Sequence, residues 1–274
     1  MFEELKLRGY VTPEDFEGND TEKCAKALEI SEKEDIGKVV FAGKYVLTEA
    51  LKVPSQTEIV LKEGAELTGE TVFVNKVSTE PEKASWSFED KFIYLKGAEG
   101  ASVNGDIAFY HARNVVLDHL TVNGQVTFEF CREVRMEYDT INSEKCCAVK
   151  LMRGANNFIV QYNKFSAKKA GIRVNSTCEK GAYVIGKDVD NHELIFKDNE
   201  ISAAAGFKFT AGEEAGIFNV QIDHNTVTEK GIIIGEEERK LDKKRFFNIT
   251  ATDFSGASEA VVLLNDTWHC YFGE

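Results

Sequence analysis

Three short apolar segments each place one cation between two hydrophobic residues. Lys150, Arg173 and Lys208 stand at the centres of the segments VKL, IRV and FKF. Alternation of this kind is typical of a β-strand, in which successive side chains point to opposite faces. We expect the hydrophobic residues to face a core and the cations to face solvent. If the three strands are neighbours in one sheet, the cations lie about 4.8 Å apart.

A row of cations at this spacing is unfavourable unless an anion relieves it. Two unit charges about 5 Å apart repel by roughly 0.8 kcal/mol in bulk water, and by more where water is excluded. The row therefore predicts either a solvated basic face or a groove that binds a carboxylated or otherwise anionic saccharide. Thr127 or Glu129 precedes Lys150 in this column, and Ile233 follows Lys208.

A phrase of eight residues, repeated along the chain, supplies the elements that would hold these strands in place. Its first, third and eighth positions are apolar, and its sixth is Asn or Asp in four copies. This pattern fits a strand on each side of a tight bend, because Asn and Asp tolerate left-handed backbone. A period of 19 to 36 residues indicates a solenoid, with copies that begin at Val115, Val134, Phe158, Leu194, Val220 and Phe247.

Polar residues at the bends are interpreted as structural. Asn163, Asn199 and Asn225 occupy the same position in three copies and predict a stacked amide ladder. The Asp-His pairs at 118–119 and 223–224 also fall at bends. Four coils separate the two pairs by roughly 19 Å, which is too far for them to share an ion. No metal site and no cofactor are expected.

The composition excludes several classes of protein. With 33 basic and 46 acidic residues, the net charge is −13, which makes a general nucleic-acid binder implausible. No apolar run is long enough to span a membrane, and charges interrupt the first ten residues, where a signal peptide would be apolar. We therefore expect a cytoplasmic protein. The six cysteines contain no CxxC pair and are expected to be reduced.

The sequence predicts one domain over residues 1–274. A helix over 20–33, capped by Asp20 or Thr21, would cover the open end of the first coil. The coils follow over about 37–265. The apolar tail, 266–274, would cover the last coil or meet another subunit, so a homo-oligomer remains open.

Several segments resemble one family. They are DFEGNDTEKCAKALE, KVVFAGKYVLTEAL, VPSQTEIVLKEGAEL and FIYLKGAEGASVNG. With the repeated phrase, they resemble the right-handed parallel β-helix proteins of the pectin-lyase-like superfamily, which includes polygalacturonase-like hydrolases, pectate lyases and epimerases. The resemblance implies an all-β fold: a single-stranded right-handed parallel β-helix with an N-terminal capping α-helix.

The family's hydrolase motifs are missing from this sequence. The resemblance would place an Asp-Asp pair and a Gly-His-Gly at the segments 143–150 and 168–173, which here contain neither the carboxylate pair nor the His. Inverting hydrolysis needs two carboxyl groups. Glu144 or Glu129 could supply only one, so polygalacturonase chemistry is disfavoured.

Elimination from a uronate fits the residue types better. It requires a base and a cation that neutralises the carboxylate, and like charges favour the neutral form of a lysine. The resemblance to pectate lyases implies a base of the Arg or Lys type. We predict Lys150 or Lys208 as the base, Arg173 as the carboxylate clamp and Glu129 or Glu144 as a supporting acid, all acting on an acidic saccharide.

Two alternatives stay open. The chain could be a glycoside hydrolase that uses Glu144 or Glu129, or a non-catalytic saccharide-binding or structural β-helix. Three loops are predicted at 75–91, 176–192 and 236–244. Trp86, in the first loop, could stack on a sugar ring or pack against the solenoid.

Overall fold

The computed structural model describes residues 2–76, 90–176, 189–212, 215–236 and 245–273. Over these ranges the chain winds into a right-handed parallel β-helix preceded by helices, which confirms the predicted fold class. Most of the three predicted loops, including Trp86, lies outside the described residues. No helix among the described residues is long and apolar enough to cross a membrane.

The strands, in chain order, are β1 Lys38–Phe41, β2 Lys44–Val46, β3 Leu51–Val53, β4 Thr57–Leu61, β5 Glu66–Asn75, β6 Asp90–Gly97, β7 Ser102–Tyr110, β8 Ala112–Asp118, β9 Thr121–Asn123, β10 Val126–Glu129, β11 Arg132–Glu137, β12 Thr140–Asn142, β13 Cys147–Leu151, β14 Asn156–Gln161, β15 Lys164–Ser166, β16 Ala170–Ser176, β17 Asn191–Lys197, β18 Glu200–Ser202, β19 Ala205–Ala211, β20 Ile217–Asp223, β21 Asn225–Val227, β22 Lys230–Ile234, β23 Phe246–Ala251, β24 Phe254–Ser255, β25 Glu259–Leu263 and β26 Tyr271–Phe272.

Each coil contributes a strand to three faces. The first face is the ten-stranded sheet β1-β4-β6-β8-β11-β14-β17-β20-β23-β26. The second face contains the short strands after the bend, such as β9, β12 and β15, and the third contains β10, β13, β16, β19, β22 and β25. The long strands β5 and β7 run through both the second and third faces. All these pairings are parallel, so equivalent residues of successive coils form columns.

The N-terminal end is covered by helices. Helix α1 spans Phe2–Arg8, a 3-10 turn spans Pro13–Asp15, and helix α2 spans Asp20–Lys33. The prediction that Asp20 or Thr21 caps α2 is wrong. Asn19 is the cap: its side chain accepts the N–H of Glu22, whose carboxylate accepts the Asn19 N–H in return. This reciprocal pair satisfies two N–H groups that the helix end leaves free.

The apolar side chains of α2 pack on the first coil as predicted. They are buried together with the interior of β1 to β3 and comprise Cys24, Ala27, Leu28 and Ile30. Helix α1 was not anticipated from the sequence, and its Leu5 joins the same core. The cap therefore protects the edge of the first coil from pairing with another chain.

The repeated phrase has the predicted strand–bend–strand structure in its first five copies. Its first and third residues are buried in each of these copies. The alignment of the sixth copy is wrong by two residues, because Val220 pairs with Ile249 and Phe218 pairs with Phe247. Phe247 is partly exposed and stacks on Phe218, with 4.6 Å between ring centroids.

The amide ladder is confirmed. Asn163, Asn199 and Asn225 are at most 1% exposed, and each Oδ1 accepts the backbone N–H of the ladder residue in the preceding coil, at 2.8 to 3.1 Å. Their Nδ2 groups donate at 3.0 Å to the carbonyls of Met136, Val160 and Phe196. Asp139 continues the column, and its Oδ1 accepts the Leu120 N–H at 2.8 Å. The bend is therefore held by hydrogen bonds that cross from coil to coil.

The tail adds a strand to the first face. Trp268 forms a bridge with Phe247, and β26 pairs with β23. Trp268 and Tyr271 are 44% and 62% exposed, so the tail leaves aromatic surface open to solvent.

Candidate functional site

The three cations predicted from the sequence lie in one column of the third face. Lys150 is opposite Arg173, and Arg173 is opposite Lys208, on the adjacent parallel strands β13, β16 and β19. Their side chains are partly exposed. We call these three residues the cation row. The spacing of about 4.8 Å follows from the pairing of neighbouring strands.

The interior side of these strands is apolar, as the alternation predicts. The flanking residues are fully buried and comprise Val126, Phe128, Val149, Leu151, Ile172, Val174, Phe207, Phe209, Ile232 and Ile234. These buried side chains fix the orientation of the strands, so the cations between them must point outward. The packing of the core therefore determines the position of the row.

The register decides which residue precedes the row. Thr127 pairs with Lys150, so Thr127 lies in the column and Glu129 does not. Glu129 is 8% exposed and accepts a hydrogen bond from Arg153 Nε at 2.7 Å. Burial, followed by the charge of Glu129, raises the pKa of Tyr110. Glu129 is thus engaged at the corner that follows β10.

The charge of the row is only partly neutralised by the described residues. Arg173 Nη2 lies 3.8 Å from Glu236 Oε1, at the limit of an ion pair. Neither Lys150 nor Lys208 forms an ion pair within the described part of the chain. On the far side, Lys208 pairs in register with Ile233. The column therefore changes from a hydroxyl through three cations to an apolar side chain.

Glu144 lies at the corner that precedes β13. Its side chain is 97% exposed, and its Oε2 is 3.3 Å from Lys168 Nζ. It therefore belongs to a solvated ion pair beside the row. The structure brings Glu144 and Glu129 to opposite ends of the third-face strands rather than together.

A polar pocket of about 470 Å³ at the same corner was not found from the sequence. Asp106 accepts the backbone N–H of Gln125 at 2.9 Å and forms an ion pair with Lys145, and Glu144 and Glu70 also line the pocket. Asp106 precedes the third-face part of β7, which lies outside the repeated phrase. Two glycines, Gly105 and Gly124, allow the close approach of successive coils here.

The cysteines near the row are thiols. The Cys146 and Cys147 sulfur atoms are 3.7 Å apart, and all five cysteines within the described ranges are free. Burial, with a smaller contribution from Cys146, raises the pKa of the Cys147 thiol to about 12. Cys147 is therefore a packing residue, as expected.

One acidic group at the bends could offer ligands to an ion. Asp223, His224 and Asp253 bring three ligand atoms within 4.8 Å of one another. His224 Nδ1 is 2.9 Å from Asp223 and its Nε2 is 3.6 Å from Asp253. Asp253 comes from the next coil and is not part of either Asp-His pair. The group lies on the bends, away from the cation row.

Known structures agree with this architecture. No protein-family model and no curated protein matches the sequence. The tailspike protein of E. coli bacteriophage HK620 is 11% identical over 98% of this chain and 67% of its own, with a TM-score of 0.50. The chain has a right-handed parallel β-helix fold. At such identity the comparison concerns the fold alone.

Two further solved structures belong to an adhesin and to an exopolygalacturonase. The Streptococcus pneumoniae surface protein and adhesin PfbA is 11% identical over 97% of this chain and 100% of its own, with a TM-score of 0.48. The Yersinia enterocolitica family 28 exopolygalacturonase is 10% identical over 97% and 78%, with a TM-score of 0.46.

Proposed function

We propose that the chain binds an acidic, uronate-containing oligo- or polysaccharide along the cation row. The observation that carries this proposal is the register of Lys150, Arg173 and Lys208 on three adjacent strands. Successive carboxylates of an extended polymer would each meet one cation. The chain as a whole has a net charge of −13, so this local excess of positive charge is a departure from the rest of the surface.

The energetics favour an anionic ligand. Each adjacent pair in the row repels by roughly 0.8 kcal/mol in water at about 5 Å. A bound carboxylate removes this repulsion and adds charge-assisted hydrogen bonds, which are about twice as strong as neutral ones. Arg173, at the centre, can hold a carboxylate with two parallel N–H groups, whereas a lysine offers a point charge.

The reaction we propose is elimination. Lys150 or Lys208 acts as the base and removes the proton next to the carboxylate that Arg173 holds. The electron pair forms a carbon–carbon double bond, and the bond to the leaving glycosidic oxygen breaks. Glu129 and Glu144 are engaged with Arg153 and Lys168. The leaving oxygen therefore takes its proton from the second lysine of the row, and the net reaction consumes no water.

Two observations support the alternatives. The engagement of both predicted carboxylates in ion pairs favours a non-catalytic saccharide-binding protein. Asp106 and Glu144, which line one corner pocket, favour hydrolysis, because two carboxyl groups facing one bond are what a glycoside hydrolase requires.

The test is incubation with a panel of uronate polymers and neutral polysaccharides. Elimination produces the ultraviolet absorbance of an unsaturated uronate together with new reducing ends. Hydrolysis produces reducing ends alone, and a binding protein produces neither but retains the polymer in an affinity assay. Absence of both product and binding across the acidic polymers would contradict the proposal.

Variants connect the result to the row. Replacement of Lys150, Arg173 and Lys208 with Ala should abolish binding of the acidic polymer. The matched control replaces Lys164, on the second face, and Lys197, on the first face, with Ala. This variant should bind the acidic polymer like the parent chain. If the triple variant keeps its affinity, the ligand does not lie on the row.

A further inference from the structure

A second groove lies on the first face, away from the cation row. It has a volume of about 620 Å³ and crosses four adjacent strands, β14, β17, β20 and β23. Its floor is a single outward column in which Ile159, Ile195, Gln221 and Thr250 pair in register. Three strand spacings of about 4.8 Å make this column about 14 Å long, and straight.

The rim of the groove is a ladder of polar side chains. Asn157, Glu193, Asn219 and Asn248 occupy equivalent positions, with φ angles between 50° and 55°. Asn tolerates this left-handed conformation better than most residues. Asn248 Nδ2 donates to Asn219 Oδ1 at 2.7 Å, and Asn219 Nδ2 donates to Glu193 Oε1 at 2.7 Å. The rim therefore presents a polar group at every coil, an amide at three and a carboxylate at the fourth.

Aromatic rings hold the rim in place. His192, Phe218 and Phe247 each precede a rim residue and stack on one another, with centroids 4.9 and 4.6 Å apart. Stacking of this kind adds to the energy gained by burial. The ladder is therefore attached to a rigid column, and its donors and acceptors keep a fixed spacing.

The charge of the groove selects its ligand. None of the described residues that line it is a lysine or an arginine. Its one carboxylate, Glu193, contacts His192 and accepts the hydrogen bond from Asn219. In a chain of net charge −13, such a groove repels an anion and offers no counter-charge to it. Both oxygens of Glu193 are already engaged, by His192 and Asn219, so the groove has no unengaged carboxylate oxygen for a cation either, and an uncharged ligand fits it best.

We infer that this groove binds a neutral, extended oligosaccharide. The two isoleucines of the floor fit the apolar C–H face of a sugar ring, while the amides of the rim and the Gln221 and Thr250 side chains fit its hydroxyl groups. Sites for small polar ligands commonly combine an apolar surface with a few fixed polar groups in this way. Because the floor is straight, it fits an extended β-1,4-linked chain better than a coiled α-linked one. This inference does not depend on the function of the cation row.

The test measures binding of cellotetraose, chitotetraose and mannotetraose to the full chain by calorimetry or by ligand-observed magnetic resonance. At least one should bind, and maltotetraose, whose chain coils, should bind more weakly. Ile195→Glu places a charge on the floor and should lower the affinity about tenfold or more, which corresponds to about 1.4 kcal/mol. Oligogalacturonate should not compete with the neutral saccharides for the groove, because none of the described residues that line it carries a positive charge to pair with the carboxylates.

Val116→Glu is the matched control. Val116 is a partly exposed residue of the same outward column, separated from Ile195 by two strands and outside the groove, and its replacement should leave the affinity unchanged. Gln221→Ala, at an exposed position, supplies a second variant if Ile195→Glu does not fold. Failure of all three tetrasaccharides to bind at millimolar concentration would overturn the inference. The inference would also be overturned if the parent chain self-associates and Ile195→Glu abolishes that association, because the groove would then be an interface between two copies of the chain.

Discussion

Replacement of Asp139 with Asn should stabilise the protein. Asp139 stands in the amide ladder and is 0% exposed. Its Oδ1 accepts the Leu120 N–H, as the equivalent oxygens of Asn163, Asn199 and Asn225 accept theirs. Its Oδ2 takes the place of an amide nitrogen and has no hydrogen-bond partner among the described residues. An amide at this position could donate to the carbonyl that the register places opposite, that of Leu117.

The protonation state follows from this geometry. Burial, followed by the charges of Asp118 and Glu137, raises the pKa of Asp139 well above its ordinary value, although the Leu120 N–H opposes the shift. A protonated Oδ2 can donate a hydrogen bond as an amide does, whereas an ionised one cannot. The unfolded chain releases this proton near pH 4, about the ordinary pKa of aspartate.

The sign of the pH dependence is therefore fixed. The folded state binds the Asp139 proton more tightly than the unfolded chain does. The stability that this proton contributes is complete below about pH 4 and is lost as the pH rises through the pKa of Asp139 in the folded state. The loss grows as the pH rises above about 4, by at most about 1.4 kcal/mol per pH unit. A buried unsatisfied polar atom costs about 1–3 kcal/mol. Asp139→Asn should recover about 1–3 kcal/mol at neutral pH and little near pH 4.

The assay is urea unfolding of both chains at a series of pH values from about 4 to 8. Asp118→Asn is the control with the opposite sign. Burial alone would raise the Asp118 pKa, but hydrogen bonds from Tyr94 and His119 lower it overall. This variant should therefore lose stability at neutral pH and approach the parent only as the pH falls below about 4, the ordinary pKa of aspartate, so its series extends to about pH 3. A gain for Asp139→Asn that does not change with pH, or a loss at neutral pH, would refute the reasoning.

Three further outcomes are expected. Asn19→Ala removes the helix cap and should lower the free energy of unfolding by about 1 kcal/mol, whereas Asn19→Asp should retain most of it, as judged by thermal unfolding. Gly124→Ala would place a Cβ 2.1 Å from a backbone oxygen and should cost about 2 kcal/mol or more; Gly64→Ala, with nothing within 4 Å of the new Cβ, should cost less. At neutral pH a maleimide should label Cys146 and spare Cys147, whose pKa burial raises to about 12, and equal labelling in peptide mass spectra would contradict this.

The sequence was sufficient for the fold because its strongest signal is periodic. Alternating apolar residues fixed the orientation of the third-face strands, and this alone placed Lys150, Arg173 and Lys208 on one outer column. The register between coils was predictable where the phrase is regular. The register seen in the structure shows that Thr127, rather than Glu129, precedes the row. Alternation could not make this choice, because the two residues are two positions apart and point to the same side of the strand.

The error in the sixth copy has a physical cause. A left-handed residue interrupts the alternation immediately before the first buried position of each copy, and Asn219 and Asn248 are two examples. Alignment of Asn248 with Asn219 would have placed Ile249, rather than Phe247, opposite Val220. The signal was present in the sequence, but an Asn or Glu before an apolar residue is weak unless the backbone conformation is known.

The same argument explains why the first-face groove and the Asp106 pocket were missed. Both depend on residues of different coils that meet only through the register, and neither contains a motif with fixed local spacing. The cation row was detectable because three like charges recur at one strand position, whereas an uncharged column such as Ile159, Ile195, Gln221 and Thr250 has no such chemical label.

The ladder also explains where the coils differ in length. From Leu120 to Asn225, the bend between the first and second faces is closed by buried hydrogen bonds that link each coil to the next, and an inserted residue there would leave them unsatisfied. Length differences therefore accumulate elsewhere. The connection from the third face to the first has two residues between β10 and β11, four between β13 and β14 and fourteen between β16 and β17. The rigid bend thus confines variation in the chain to the edge of the face on which we place the acidic ligand.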